Sequence, residues 1–155
     1  MRIRSLHRTT AVAAALLLAT GGLAAQQPPG DELTDVVFAP SLRVDLARSQ
    51  RLASGAYRRD LRPGLGDSVR AGATLTLRVA VRLPDGTAAA VDQPAETRQW
   101  WPGTYLRGVE QGLRGMRAGG RRQVVLPASL GYQSPVPGIP AGTPLVVEIA
   151  LLGVS

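Results

Sequence analysis

The feature that most restricts this chain is a run of strict alternation at positions 74–83. Leu75, Leu77, Val79, Val81 and Leu83 are apolar, while Thr76, Arg78, Ala80 and Arg82 between them are small or polar. Period two is the side-chain repeat of a strand and not of a helix. One face is then buried and the other largely wet, as in an antiparallel sheet covered on one side. Pro84-Asp85-Gly86 closes the run with turn chemistry, since proline presets φ and glycine accepts a positive one.

The rest of the chain supplies partners for this strand. Residues 56–62 read as an earlier strand, ended by the turn-rich PGLGD at 63–67. Residues 121–126 (RRQVVL) and 145–154 (LVVEIALLGV) read as further strands, the second apolar enough to be central. Leu106, Val109, Leu113 and Met116 recur at spacings of three, four and three, the stripe of a short helix with Arg107, Glu110, Gln111 and Arg114 facing out. Gly112 and Gly115 weaken that helix by about 1 kcal/mol each relative to Ala, so it must dock on the sheet. Gly119-Gly120 reads as its stop. The segment 127–144 is a long loop carrying Pro127, Pro135, Pro137, Pro140 and Pro144, and an ordered loop of that length is more often functional than decorative. The expected fold class is α+β: a twisted antiparallel sheet of about five strands half-wrapped around one short helix. The helix start, the long loop and the concave sheet face would then meet at one end of the core.

A chain of 155 residues, 45% of them hydrophobic, holds one globular domain with extensions. Residues 1–8 are basic, 11–20 (AVAAALLLAT) are apolar, and GGLAA follows. These are the parts of a secretory signal peptide, with cleavage expected near Ala24 or Ala25. The apolar run falls short of the roughly 20 residues that span a bilayer. The expected division is a signal peptide at 1–25, a flexible leader and short N-terminal arm at 26–53, and the domain at 54–155. Residues 33–52 could add a strand or arm, pairing with a partner chain or folding back. The mature protein is then expected outside the cytoplasm, periplasmic or extracellular, without stable membrane insertion; the runner-up is an anchor through an uncleaved signal.

What is missing narrows the chemistry. There is no Cys and no Lys, and His7, the sole histidine, lies in the signal segment. Expected functions therefore exclude a thiolate or imidazole nucleophile, a lysine Schiff base and a Cys/His zinc set, and no metal or cofactor is expected. The formal charge is +7, and it falls to about +4 once Arg2, Arg4 and Arg8 are set aside. The arginines are scattered with no aromatics interleaved, so nucleic acid is not an expected partner. Arg121 and Arg122 read as solvated surface charges.

At this point several motifs converge. GVEQGLRGMRAGGRR at 108–122, LPASLGY at 126–132, GIP at 138–140, the terminal LVVEIALLGV, and LPDG at 83–86 resemble the FKBP-type peptidyl-prolyl cis–trans isomerases. The resemblance runs in order over about 100 residues, and it implies the FKBP-like fold and acceleration of Xaa–Pro rotation in proline-containing polypeptides. It implies catalytic roles for the Tyr132 hydroxyl, the Leu106 backbone N–H and Asp92, an aspartate reached only if two residues are inserted (strict register falls on Ala90). Tyr105 and Leu106 match the pair before the family's helix, and Ile139 would lid the pocket. Val79, Val109 and Val147 stand where the family has pocket aromatics, and Ala89 where it has a phenylalanine after the turn. Trp100 and Trp101 match an aromatic strand and could refill the space. The resemblance thus implies a substrate pocket of Val79, Trp100, Trp101, Tyr105, Val109, Ile139 and Val147. A second expectation, prompted by the lost aromatics, is a chaperone or peptide-binding module with little turnover.

Overall fold

The structure, a computed structural model, describes residues 32–89 and 94–155. The signal peptide, the leader at 26–31, and Asp92 with Ala90 lie outside the described residues. Six strands form one antiparallel sheet: β1 (Gln50–Arg51), β2 (Tyr57–Arg62), β3 (Thr74–Arg82), β4 (Glu96–Gln99), β5 (Arg121–Leu126) and β6 (Leu145–Val154). Their order is β1-β2-β5-β6-β3-β4, and a helix, α1 (Arg107–Leu113), crosses one face. The strand beyond the expected five is β1, two residues from the end of the N-terminal arm paired with Arg58 and Tyr57.

Sheet order follows from hydropathy. β6, a near-continuous apolar run, and β5, apolar over Val124, Val125 and Leu126, occupy the centre, where both faces are covered. On the helix side, Leu75, Leu77, Val124, Leu126, Leu145, Val147, Ile149 and Leu151 pack against Val109, Leu113 and Met116. On the outer side, Tyr57, Val125 and Val146 are roofed by Leu33, with Val36, Phe38, Leu42, Val44 and Leu46 packed around them. The arm therefore folds back on its own sheet. It is fastened by Ala39 N–H donating to the Pro84 carbonyl (2.8 Å), Gln123 Nε2 to the Leu42 carbonyl (2.8 Å) and Arg59 to the Arg43 carbonyl (2.6 Å). Full burial of Leu33 alone contributes about 1.5–3 kcal/mol.

The helix departs from expectation at its end. It stops at Leu113, and Gly115 takes the left-handed turn at φ +72°, well before Gly119-Gly120. Met116 stays in the core from beyond the helix. Gly112 is required rather than merely tolerated: a Cβ there would lie 2.5 Å from Val124 Cγ2 and 3.1 Å from Ile149 Cδ1. A Cβ on Gly108 would run into the Leu126 side chain. These two glycines seat the helix backbone directly on β5.

Arg122 is also not a surface charge. It is 6% exposed, and Nε and Nη2 donate to Asp60 Oδ1 and Oδ2 at 2.6 and 3.1 Å. Nη1 reaches the Gly112 and Arg114 carbonyls at 2.7 and 2.9 Å, closing the C-terminal end of α1. Burying this cation is tolerable because its donors are filled, and the fork geometry of guanidinium suits that set. Arg121, by contrast, is exposed and pairs with Glu148.

Candidate functional site

The alternation of β3 has one irregularity in burial. Leu75, Leu77 and Val81 are buried, whereas Val79, on the same face, is only half-buried. The reason is a cleft of about 210 Å³ between the sheet and the start of α1. Its buried lining is Val81, Val109, Leu145 and Val147, and its half-buried walls are Val79, Glu96, Tyr105, Leu106 and Tyr132. Other hollows among the described residues each carry three arginines and at least one carboxylate in their lining, and lie at the Arg122–Asp60 pair or on the outer sheet face. This one is walled mainly by apolar side chains. Its volume is below the roughly 300–1,000 Å³ of sites for drug-sized ligands, and so suits a single side chain with its flanking backbone.

Two donors point to its use. Leu106 is the N-cap residue of α1 at φ −49°, ψ 138°, and its N–H has no partner among the described residues. Tyr132 stands in the loop after β5, and its hydroxyl likewise has no bond there. The Tyr132 backbone is held instead, its carbonyl accepting from Gly142 N–H at 3.0 Å. The 3-10 turn just before it (Ala128–Leu130) is stapled by Gln133, whose Nε2 donates to the Ala128 and Gly131 carbonyls at 3.0 and 3.2 Å.

The loop before α1 is shaped by Glu110. Its Oε1 accepts from Gly103 N–H (2.6 Å) and Tyr105 N–H (3.2 Å), folding residues 103–106 back over the first turn. Tyr105 O–H donates to Glu96 Oε1 at 3.0 Å, and Glu96 Oε2 lies 3.4 Å from Arg98 Nη2. Burial first, then the Glu96 carboxylate, pushes the Tyr105 phenol up to about 12. It is therefore a neutral donor throughout the physiological range.

The structure gathers Val79, Tyr105, Leu106, Val109, Tyr132 and Val147 around one cleft and keeps three expected pocket residues out of it. Trp100 is a core residue, 7% exposed, held in register by its N–H to the Ala73 carbonyl at 2.9 Å. Trp101 turns outward, 54% exposed, over Gly72. Both follow directly on the end of β4, and alternation sends one inward and its neighbour outward, so neither refills the cleft. Ile139 is 1% exposed and sinks into the main core beneath a tight turn with Val136, so it lids nothing. Three lining residues escaped the sequence reading: Val81, Leu145 and Glu96. The first two were legible as core-facing strand positions, and only Glu96 lacked a signal, because β4 is short and polar.

An antiparallel sheet half-wrapped around one short helix, with an apolar cleft where the helix begins, is an α+β architecture found among solved isomerases. The chain is similar to a peptidyl-prolyl cis-trans isomerase from Pseudomonas syringae pv. tomato, at 27% identity and TM-score 0.60, over 75% of this chain and 92% of that one. It shares its fold with FkpA from Escherichia coli, at 23% identity and TM-score 0.58, over 70% of this chain and 52% of that one. Among curated relatives, FK506-binding protein 4 of Chaetomium thermophilum is 33% identical over 108 residues, which is 68% of this chain and 22% of that protein. FK506-binding protein 4 of Aspergillus fumigatus is 30% identical over 99 residues, 62% of this chain and 20% of that one. The chain thus spans about a fifth of the length of these two relatives. The family model for the FKBP-type peptidyl-prolyl cis-trans isomerase matches residues 66–152. The chain belongs to that family.

Proposed function

We propose that this chain is an active peptidyl-prolyl cis–trans isomerase that works on exported, proline-containing polypeptides. The observation that carries the reading is the apolar cleft flanked by two donors without partners among the described residues, Leu106 N–H and Tyr132 O–H. Rotation about an Xaa–Pro bond is slow because amide resonance sets a barrier near 18–20 kcal/mol. A twisted amide has lost that resonance and is less polar than a planar one. A dry cleft of valines therefore prefers the twisted form to the ground state, and only such a difference accelerates the reaction. The two donors orient the flanking carbonyls, each contributing on the order of 1 kcal/mol. Every 1.36 kcal/mol of preference gives a factor of ten in rate. Asp92, which follows the turn after β3 in the sequence, is proposed as a further catalytic residue on the family resemblance. Export is proposed from the basic, apolar and small-residue order of residues 1–25, with the mature protein periplasmic or extracellular and the isomerase domain at 54–155 carrying the arm of residues 33–52 on its sheet.

The test is a protease-coupled or NMR exchange assay on Xaa–Pro peptides. Turnover should fall in Tyr132→Phe by about three- to tenfold, the worth of one hydrogen bond, and further in Leu106→Pro, which deletes the backbone donor. Folded protein that leaves every peptide's exchange rate unchanged would sink the reading. A second reading is favoured by Val79, Val109 and Val147, which leave the cleft without an aromatic floor: a chaperone that grips proline-rich or apolar segments with little turnover. Suppressed aggregation of a proline-free client, with no exchange activity, would select it.

A further inference from the structure

Glu96 is the only charged side chain among the nine described residues that line the cleft. It lies on β4, the edge strand, in register with Leu77 of β3, on the face that looks toward the helix. Its side chain keeps 28% of its surface open to solvent. The carboxylate is oriented, since Tyr105 O–H holds Oε1, but it is far from saturated. An ionised carboxylate offers about four acceptor positions, and among the described residues its second oxygen has only the 3.4 Å contact to Arg98, itself 54% exposed. An ion pair that long and that open is worth little. What remains is a fixed negative charge on the wall of an apolar cleft, where less water screens it than on open surface.

We infer that Glu96 makes this cleft select proline peptides that carry Lys or Arg within one residue of the proline. The inference rests on the proposed use of the cleft for prolyl segments and adds the class of segment it prefers. The recognising chemistry is a charge-assisted hydrogen bond from ammonium or guanidinium to the free lone pairs of the carboxylate. The same charge disfavours an acidic neighbour. Arg98 acts as an internal competitor: removing it frees Oε2 and should widen the preference.

The test uses the full chain and two peptide series, one varying the residue before proline and one the residue after, each with Arg, Lys, Gln, Leu and Glu. In at least one series kcat/KM for Arg and Lys should exceed that for the uncharged Gln by about three- to fivefold at low salt, the upper range for a partly exposed pair. Glu should fall below Gln. The preference should shrink toward unity in 1 M NaCl, where the Debye length is about 3 Å, and in Glu96→Gln, and grow in Arg98→Gln. Equal ratios in the wild type and Glu96→Gln overturn the inference while leaving the isomerase reading intact. If no peptide is turned over, the isomerase reading fails, and NMR titration of the same peptides decides the inference by itself. Tighter binding of Arg than of Gln peptides, lost in Glu96→Gln, sustains it; equal affinities, or no binding at all, overturn it.

Discussion

At the C-terminal end of α1, a buried guanidinium donates to a carboxylate on β2 and to two helix carbonyls. At the other end, six residues away, Leu106 has no side-chain cap, its N–H has no partner among the described residues, and the wall beside it is open and apolar. A seven-residue helix is unstable on its own in water. It exists here because one end is clamped by charge and its middle is pressed onto β5 through glycines. That anchoring lets the other end present a backbone donor beside an apolar cleft. Stability is invested at one end and reactivity is left at the other.

Breaking the clamp should have the largest effect. Asp60→Ala strands Arg122 in the core and should lower unfolding free energy by about 3 kcal/mol, the low end for a broken buried pair because Asp60 is itself half-exposed. Urea melts would read this as a lower midpoint with an unchanged slope. A loss no larger than that of an exposed pair would mean the clamp does not hold the helix. Next comes the glycine seat. Gly112→Ala adds about 1 kcal/mol of helix propensity but overpacks Val124 at 2.5 Å, a cost of about 1–3 kcal/mol. The net expectation is about 1 kcal/mol less stability by thermal melting; a more stable variant would show that the helix can lift off the sheet without penalty.

The smallest effect belongs to the open end. Tyr105 keeps its proton to about pH 12 when folded, against an ordinary phenol value of 10. A folded-state value above the unfolded one means its contribution is fully present below pH 10 and is lost as pH rises toward 12. Ultraviolet titration should show the Tyr105 phenolate forming well after a normal tyrosine would, and Glu96→Gln should move that step earlier. If every phenol titrates near 10, the Tyr105–Glu96 bond does not hold in solution.

Much of the scaffold was legible from residues alone. Period two located β3, uniform hydropathy placed β6 at the centre, and the 106–116 stripe marked the helix, because each signal is local and repeats over several side chains. The site was legible in part. Val79, Val109 and Val147 were readable as pocket positions only through the family resemblance, as were Tyr132 and Leu106 through the motifs around them. Trp100, Trp101 and Ile139 misled because aromatic or branched character says that a side chain wants burial and not which cavity will take it. Arg122 was opaque for a related reason: its carboxylate partner is 62 positions away.

The amino-acid order by itself determined which residues could be strand, helix, turn or core, and which chemistries were ruled out, since those depend on neighbours along the chain and on composition. Only the packed structure decided that Glu96 stands in the cleft, that Arg122 is buried, that the two tryptophans face opposite ways, and that Gly112 is a seat rather than a weakness. Each of these depends on distances between segments far apart in sequence, and such distances do not exist until the sheet has closed over the helix.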